Sequence, residues 1–230
     1  MMEFLKRLNA SWTAPEIVRA VQKDALTYLE TVALNELFHA VRRCDELGLD
    51  GILVEAGCAA GGSAIVMAAA KKPGRKFQVY DVFGQIPAPS NKDGDDVQKR
   101  YEIIRRGEAK GIGDRAYYGY EEDLYAKVGE NFARHGYPLA ANNVALVKGL
   151  FQDTMVITEP VALAHLDGDW YDSVMTCLQR LAPRLVPGGR LVIDDYYAWS
   201  GCKKAVDEYF SGKSAEFDFV RKSRLHIVRK

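Results

Sequence analysis

Short apolar runs alternate along the chain with longer stretches in which apolar residues recur every three or four positions. Five runs are apolar along almost their whole length, at residues 52–54, 77–80, 144–147, 161–166 and 191–193. Such runs predict strands that are buried on both faces. The periodic stretches between them, for example 173–185 and 202–210, predict crossover helices. The pattern therefore predicts an α/β fold with a doubly wound, mostly parallel sheet.

Two further apolar runs, at 217–220 and 225–228, lie near the end of the chain. Only residues 221–224 separate them. A connection this short joins antiparallel neighbours, because parallel strands need a much longer crossover. We therefore expect an antiparallel C-terminal strand pair beside the parallel strands.

The first 48 residues predict helices that pack over the sheet. Thr13 can cap a helix, Pro15 suits its first turn, and Glu16 completes a capping box. Helical periodicity then continues without a break to Gly48, the predicted stop. We interpret residues 1–48 as an N-terminal helical cap.

Residues 82–143 are too many for one crossover. They contain three prolines, a polar run and two predicted helices, at 97–107 and 121–134. Extra structure at this end of a sheet commonly covers a substrate site. We expect a helical insertion that acts as a lid within a single domain, 1–230.

Composition limits the partners and the compartment. Lys plus Arg and Asp plus Glu both number 31, so no net charge favours nucleic acid or an anionic membrane. The four cysteines form no C-x-x-C pair, which favours a reducing compartment. The first residues lack the apolar core of a signal peptide, and no uncharged run reaches the ~20 residues of a membrane helix. A cytoplasmic protein is expected.

A turn of small residues, EAGCAAGGS at 55–63, follows the first predicted strand and precedes a helix. Small residues let the backbone approach a ligand, and the helix N–H groups point towards it. The dinucleotide pattern is not met, because Ala59 stands where its second glycine would be. Glu55, two residues before Gly57, suits a ligand that carries an amine. Packing alone is the alternative explanation, and we favour binding.

Two other strand ends suit an adenosine-containing ligand. Asp81 ends the second strand, 24 residues after Gly57, where a carboxylate can accept both hydroxyls of a ribose. The alternative is a residue that merely ends the strand in a turn. Phe151 and Gln152 follow the third strand and could flank an adenine ring, while Asp153 could simply cap the next helix.

Three carboxylates are expected to meet where the fourth and fifth strands end. Asp167 ends one strand, and Asp194 and Asp195 end the next, with one helix between them. Neighbouring parallel strands place their carboxyl ends at one edge of the sheet. The acids would repel one another there unless a cation joins them. Oxygen ligands favour Mg²⁺, with Mn²⁺ or Ca²⁺ as alternatives.

The remaining polar residues of HLDGDWYD, 165–172, have separate predicted roles. His165 lies within the strand and is expected to be a packed core histidine. Asp172 precedes a helix and is expected to cap it. Asp169 is then free to serve as a base.

Several blocks together resemble one enzyme family. EAGCAAGGS, YDVFG, GLFQDT, HLDGDWYDSV and PGGRLVIDDYYAWSGCKKAVDEY resemble the S-adenosylmethionine- and metal-dependent macrocin O-methyltransferase family, whose members modify sugars on macrolides and related glycosides. The resemblance covers about 53–210. It implies a Rossmann-like seven-stranded sheet with an antiparallel last strand pair.

The resemblance also implies roles for individual residues. The methionine part of S-adenosylmethionine would lie against Glu55, Ala56, Gly57, Cys58, Gly62 and Ser63. Asp81 would bind its ribose, and Phe151 and Gln152 would lie near its adenine. Mg²⁺ would be held by Asp167, Asp194 and Asp195, with Asp169 as general base and Asp167 as the second catalytic residue. The segment 82–89 lacks the family's usual acidic residues, so the acceptor need not be that of the named members.

The predicted function is methylation of a hydroxyl on a sugar or glycoside, as a step of specialised metabolism, by a homo-oligomer. Tyr196, Tyr197 and Trp199 are candidate walls for the acceptor. A catechol or phenol acceptor is the nearest alternative. A nicotinamide-dependent oxidoreductase or epimerase is another, although the chain lacks its glycine pattern and a Tyr-x-x-x-Lys pair beside a catalytic serine. A catalytically silent scaffold is the third.

Overall fold

A computed structural model describes residues 15–230, so the predicted capping role of Thr13 lies outside the described residues. The strands are β1 Ile52–Ala56, β2 Phe77–Asp81, β3 Val144–Lys148, β4 Val161–Leu166, β5 Leu185–Ile193, β6 Phe217–Arg221 and β7 Leu225–Arg229. The α-helices are α1 Glu16–Lys23, α2 Thr31–Glu46, α3 Gly62–Ala70, α4 Asp95–Arg105, α5 Leu124–Arg134, α6 Phe151–Thr154, α7 Tyr171–Leu181 and α8 Ser200–Tyr209. Short 3-10 turns lie at Tyr118–Tyr120, Ala140–Asn142, Ala182–Arg184 and Asp195–Tyr197.

The strands form one seven-stranded sheet in the order β3-β2-β1-β4-β5-β7-β6. β1 to β5 are parallel, β7 is antiparallel to β5, and β6 is antiparallel to β7. The predicted doubly wound sheet and its antiparallel C-terminal pair are therefore confirmed. The strand order reverses between β1 and β4, and ligands in such sheets bind beyond the carboxyl ends at that point.

Both faces of the sheet are covered, which explains why its parallel strands are so apolar. On one face, α2 and α3 bury residues such as Leu34 and Ile65. On the other, α7 and α8 bury residues such as Leu178 and Val206. A fully buried aliphatic side chain contributes about 1.5–3 kcal/mol relative to an exposed one. The two layers hold the strand ends in a fixed frame.

The N-terminal cap differs from the prediction. Its helical periodicity is continuous, but the structure ends α1 at Lys23 and begins α2 only at Thr31. Ala25, between them, has a left-handed backbone with φ +51°. Leu26 is nonetheless fully buried, and its carbonyl oxygen accepts a hydrogen bond from Gly62 N at 3.0 Å. The apolar spacing therefore reflects burial of a bent segment, which packs against the start of α3, and not one long helix.

The insertion contains both predicted helices, α4 and α5, and docks onto two helix N-termini. Asp93 Oδ1 accepts a hydrogen bond from Tyr171 N at 2.8 Å, at the start of α7. Asp96 Oδ2 accepts one from Ser200 N at 2.9 Å, at the start of α8. The prediction that Asp172 caps α7 is therefore wrong: that residue is exposed in the first turn, and a carboxylate from the insertion takes its place.

Two smaller expectations also change. Asp153 lies inside the short helix α6, and no described side chain caps that helix, so its predicted capping role is wrong. β5 begins six residues earlier than its apolar run. Val161 of β4 pairs with Leu185 and Leu163 pairs with Arg190, so residues 186–189 form a bulge in β5. The proline and glycines of this bulge resemble a turn in the sequence.

None of the described helices combines the length and the apolar character needed to cross a membrane.

Candidate active site

A cavity of about 410 Å³ opens beyond the carboxyl ends of the central strands. Its floor is formed by the glycine turn after β1 and by the acids after β4 and β5. Its lining includes the predicted residues Gly57, Asp81, Asp167, Asp169, Asp194 and Asp195. The sheet therefore brings together residues that lie up to 138 positions apart in the sequence.

Gly57 brings the glycine turn into direct contact with β4. Its φ is +86°, and a Cβ at this position would lie 1.8 Å from the carbonyl oxygen of Asp167. Glycine is required here both by the left-handed backbone and by the lack of space. Gly57 N also donates a hydrogen bond to Tyr80 O at 2.8 Å. The turn is thus tied to β2 on one side and to the acids of β4 on the other.

Asp81 holds the other side of the turn. Its Oδ2 accepts hydrogen bonds from Cys58 N at 2.8 Å and Ala59 N at 3.3 Å, and its Oδ1 accepts one from Phe83 N at 2.7 Å. Burial raises the pKa of Asp81, and these backbone bonds oppose that rise. The carboxylate therefore does end its strand in a turn, and it also lines the cavity. Contact with a ribose stays a prediction.

Asp167, Asp194 and Asp195 meet, as the strand spacing predicts. One carboxylate oxygen from each lies within 4.8 Å of the others. Burial and the neighbouring charges raise the pKa of Asp167 and Asp195 well above the usual range. Ligand oxygens lie about 2–2.6 Å from Mg²⁺ or Ca²⁺, so oxygens about 4–5 Å apart can share one ion. The three residues therefore fit a hard divalent cation in spacing and in charge.

Asp169 lies beside this cluster in an uncommon backbone conformation. Its φ is +51°, a region that Asp tolerates better than most residues, and its N–H donates to Asp195 Oδ2 at 3.2 Å. Burial and the charge of Asp194 raise the pKa of Asp169 to about 7. A carboxylate with this pKa is well suited to accept a proton near neutral pH.

Residues 18–220 match the family model described as Macrocin-O-methyltransferase (TylF). The chain belongs to the macrocin O-methyltransferase family. This membership confirms the resemblance and favours the methyltransferase prediction over the nicotinamide-dependent alternative.

Individual proteins of known name agree with the family assignment. The chain is 34% identical over 182 residues to 8-demethyl-8-(2,3-dimethoxy-alpha-L-rhamnosyl)-tetracenomycin-C 4'-O-methyltransferase of Streptomyces olivaceus, covering 76% of this chain and 64% of that protein. It is 31% identical over 219 residues to demethyldecarbamoylnovobiocin O-methyltransferase of Streptomyces niveus, covering 90% and 76%. The solved structure of the O-methyltransferase NovP superposes with a TM-score of 0.74 at 25% identity, covering 89% and 82%.

Predicted cofactor residues of this family member fall into two groups. Gly57 and Asp81 line the main cavity, and a smaller adjoining cavity of about 50 Å³ is lined by Phe151 and Gln152 and again by Asp81. By contrast, five predicted residues line neither cavity in the described structure: Glu55, Ala56, Cys58, Gly62 and Ser63. Gly62 instead makes room for Leu26, whose carbonyl oxygen a Cβ would approach to 2.6 Å. Contact of these five with the cofactor stays a prediction.

Glu55 and His165 form a buried pair beneath the acids. Both side chains are fully buried, and His165 Nδ1 lies 2.9 Å from Glu55 Oε1. His165 Nε2 lies 3.8 Å from Asp194 Oδ1. Burial lowers the pKa of His165, but the carboxylates of Asp194 and Glu55 outweigh it and raise the value to about 9. His165 is thus buried as predicted, but it is paired with two carboxylates.

Arg224 is a site residue that sequence reasoning missed. Its Nε lies 2.5 Å from Asp194 Oδ1, and although burial opposes the shift, His165 and Arg224 together lower the pKa of Asp194. A signal was available, because β7 begins at the edge where the parallel β5 ends. Leu225 pairs with Ile193, so the residue before β7 lies beside the residue after β5.

The upper walls of the cavity come from segments far apart in sequence. They include Tyr28 and Leu29 from the bend between α1 and α2, Ile86, Arg100, Ile104, Tyr117 and Tyr118 from the insertion, and Tyr197 and Trp199 after β5. Two of the three aromatic residues predicted as acceptor walls, Tyr197 and Trp199, therefore line the cavity, and their contact with an acceptor stays a prediction. Tyr196 does not line it, and its hydroxyl donates to Asp207 Oδ1 at 2.7 Å.

Proposed function

We propose that this protein transfers a methyl group from S-adenosylmethionine to a sugar hydroxyl of a glycoside, with a divalent metal ion at the acid cluster. One observation supports the proposal above others. The glycine turn with Asp81, three converging carboxylates and a fourth carboxylate with a pKa of about 7 share one cavity. Family membership supports the same chemistry.

The donor would lie against the glycine turn and the small adjoining cavity. The turn backbone at Gly57 and Ala59 allows close approach, Asp81 offers carboxylate oxygen, and Phe151 and Gln152 offer a ring and an amide for the adenine. S-Adenosylmethionine supplies an already activated methyl group, so much of the protein's work is positioning and exclusion of water. The N-terminal bend and the insertion, whose residues line the cavity, would supply that enclosure.

Asp169 would accept the proton of the acceptor hydroxyl. It lies next to the acid cluster, and its raised pKa allows it to take up a proton near neutral pH. Asp167, Asp194 and Asp195 would hold Mg²⁺, with Mn²⁺ or Ca²⁺ as alternatives. A bound divalent ion supplies positive charge that stabilises a developing oxygen anion.

A sugar is the acceptor that the walls and the relatives support best. The ring faces of tyrosine and tryptophan match the apolar faces of a deoxysugar, and the printed name of the Streptomyces olivaceus relative includes a rhamnosyl group. The predicted homo-oligomer and cytoplasmic location stay predictions.

A methylation assay tests the proposal. The purified protein is incubated with S-adenosylmethionine and a panel of deoxysugar glycosides and catechols, after EDTA treatment and after Mg²⁺ is restored. We expect methylated glycoside only with the metal. Full turnover in EDTA would refute the metal role, and methylation of catechols alone would refute the glycoside acceptor.

A further inference from the structure

Four charged or ionisable side chains form a line from the centre of the sheet to the acid cluster: Glu55, His165, Asp194 and Arg224. Glu55 and His165 are directly opposite each other in the pairing of β1 with β4. The contacts run from Glu55 Oε1 to His165 Nδ1 at 2.9 Å, from His165 Nε2 to Asp194 Oδ1 at 3.8 Å, and from Asp194 Oδ1 to Arg224 Nε at 2.5 Å.

A polar pair at this depth calls for an explanation. Both Glu55 and His165 have 0% exposed side chains. Glu55 Oε2 and His165 Nε2 also make no hydrogen bond in the described structure. Burying such groups is costly unless they are paired, and apolar residues at these two sheet positions would pack without that cost. Their presence therefore points to a role beyond folding.

The cofactor does not supply that role in this geometry. A glutamate two residues before the glycine turn suits the amine of a ligand, as predicted from the sequence. However, the Glu55 carboxylate faces His165 on the neighbouring strand and lines neither cavity. The acid cluster is the nearer functional element, because the other ring nitrogen of His165 faces Asp194.

We propose that Glu55 and His165 are positioning residues that fix the Asp194 carboxylate for metal binding, and that Glu55 does not contact the cofactor. The inference rests on the proposed metal site. Glu55 fixes the imidazole ring of His165 by accepting a hydrogen bond from Nδ1–H. The ring then faces Asp194 Oδ1, and Arg224 Nε contacts the same oxygen from the side of the β6–β7 hairpin. One carboxylate oxygen of Asp194 lies within 4.8 Å of oxygens of Asp167 and Asp195. In other proteins, residues that contact a metal ligand but not the metal orient that ligand in the same way.

Two binding measurements on the same variants test this inference. Isothermal titration calorimetry gives the affinity for Mn²⁺ alone and, separately, for S-adenosylhomocysteine without metal, in wild type, Glu55→Gln and His165→Asn. We expect Mn²⁺ affinity to fall by about 10- to 100-fold in both variants, as it does when other residues that support a metal ligand are replaced. S-Adenosylhomocysteine affinity should be unchanged, which also reports that the variants are folded.

A double variant and a matched control sharpen the test. Because Glu55 acts through His165, Glu55→Gln combined with His165→Asn should bind Mn²⁺ no more weakly than His165→Asn alone. His226 is the control: it is also buried, at 1% exposed, and its strand position pairs with Val192, which on its other side pairs with His165. Its hydrogen-bond partner is Arg190, and no hydrogen bond or ion pair links it to Asp194 in the described structure, so His226→Asn should keep wild-type Mn²⁺ affinity. If His165→Asn fails to fold, the near-isosteric Glu55→Gln decides alone.

Three results would overturn the inference, each in a different way. Weaker S-adenosylhomocysteine binding by Glu55→Gln with unchanged Mn²⁺ affinity would assign Glu55 to the cofactor. Unchanged affinity for both ligands would make the pair purely structural. A wild-type protein that binds no Mn²⁺ would remove the proposed metal site itself, and so separates failure of the proposed function from failure of this inference.

Discussion

The floor and the walls of the cavity are built in different ways. The floor joins segments that directly follow parallel strands, and backbone hydrogen bonds between neighbours fix their register: Asp167 N donates to Ala56 O at 2.8 Å, and Asp194 N donates to Leu166 O at 2.9 Å. The walls come from the N-terminal bend, the insertion and the segment after β5. The insertion is held through side chains, by Asp93 at α7 and Asp96 at α8.

This difference predicts a division of function between the floor and the walls. A floor fixed by sheet pairing keeps donor and acids in a constant geometry, which catalysis by positioning needs. The segment 93–96, which is held to α7 and α8 by side-chain hydrogen bonds, can change with little effect on the sheet. We therefore expect changes in the floor to act on turnover and folding, and changes at the wall contacts to act on acceptor binding.

The largest expected effect comes from Asp169, the proposed base in the floor. Asp169→Asn keeps the size of the side chain but removes its ability to accept a proton, so kcat should fall by about 10²- to 10⁴-fold. S-Adenosylhomocysteine affinity should remain at the wild-type level. Steady-state kinetics and calorimetry measure the two quantities.

Asp172→Asn is the matched control for this variant. Asp172 is three residues further on, is exposed, and lies 3.7 Å from Lys92 Nζ in a surface ion pair. Its substitution should leave kcat unchanged, since exposed pairs of this kind contribute little. Comparable losses of kcat in the two variants would show that the local negative charge matters and that Asp169 is not the base.

A second change tests the packing of the floor. Gly57→Ala places a methyl group 1.8 Å from the Asp167 carbonyl oxygen, so β1 and β4 must separate where the site is built. Gly136 has the same φ of +86°, but nothing lies within 4 Å of its added Cβ. Gly136→Ala should therefore cost only the backbone strain, about 1–2 kcal/mol.

The comparison of the two glycine variants isolates the steric part. We expect Gly57→Ala to lower the free energy of unfolding by clearly more than Gly136→Ala, and to weaken S-adenosylhomocysteine binding as well. Urea denaturation and calorimetry provide the measurements. Equal losses of stability would mean that the turn can relax without moving the strand ends.

The walls should respond differently. Asp93→Ala removes the acceptor of the hydrogen bond from Tyr171 N and loosens the insertion, at a cost of about 0.5–2 kcal/mol in stability. We expect a higher KM for the acceptor, with kcat and donor affinity largely kept. Asp95→Ala, at an exposed position of the same segment, is the control. It should change neither the stability nor the KM for the acceptor. A lower kcat with an unchanged KM in Asp93→Ala would contradict the division between floor and walls.

The same division explains how much can be predicted from the sequence. Positions directly after strands follow from topology, so the sequence alone places Asp81, Asp167 and Asp194 at one edge of the sheet. It does not give the cap of α7, because a local rule selects Asp172 whereas the chain uses Asp93, 78 residues away from Tyr171. Long-range docking of a loop leaves no periodic signal in the sequence.

Side-chain direction is the second limit. The sequence places Glu55 correctly at the end of β1, and its charge suggests a ligand amine. The alternation of side chains across a strand, together with the register of β1 with β4, turns it towards His165 instead. Register depends on the partner strand, and neither strand specifies it alone. The position of Glu55 is therefore predictable from the sequence, but the partner of its side chain is not.

The smallest expected effect concerns a buried histidine away from the acids. Burial and the charge of Arg190, whose Nη1 lies 3.0 Å from His226 Nδ1, lower the pKa of His226 to about 3. The unfolded chain takes up this proton below about pH 6.5, whereas the folded protein does not until about pH 3. Stability should therefore fall as the pH drops from 6.5, with a slope of at most about 1.4 kcal/mol per pH unit from this group.

Replacing His226 separates its contribution from that of the acids in the floor. Urea unfolding of wild type and His226→Asn at pH 7, 6 and 5 gives two stability curves, and the loss of the contact with Arg190 offsets them by a constant. The wild-type curve should fall more steeply below pH 6.5, because only that protein must keep a buried imidazole neutral. Since the acids titrate identically in both proteins, they cancel in the difference between the curves. Parallel curves would mean that His226 takes up its proton as readily in the folded protein as in the unfolded chain. Burial and the charge of Arg190 would then not lower its pKa.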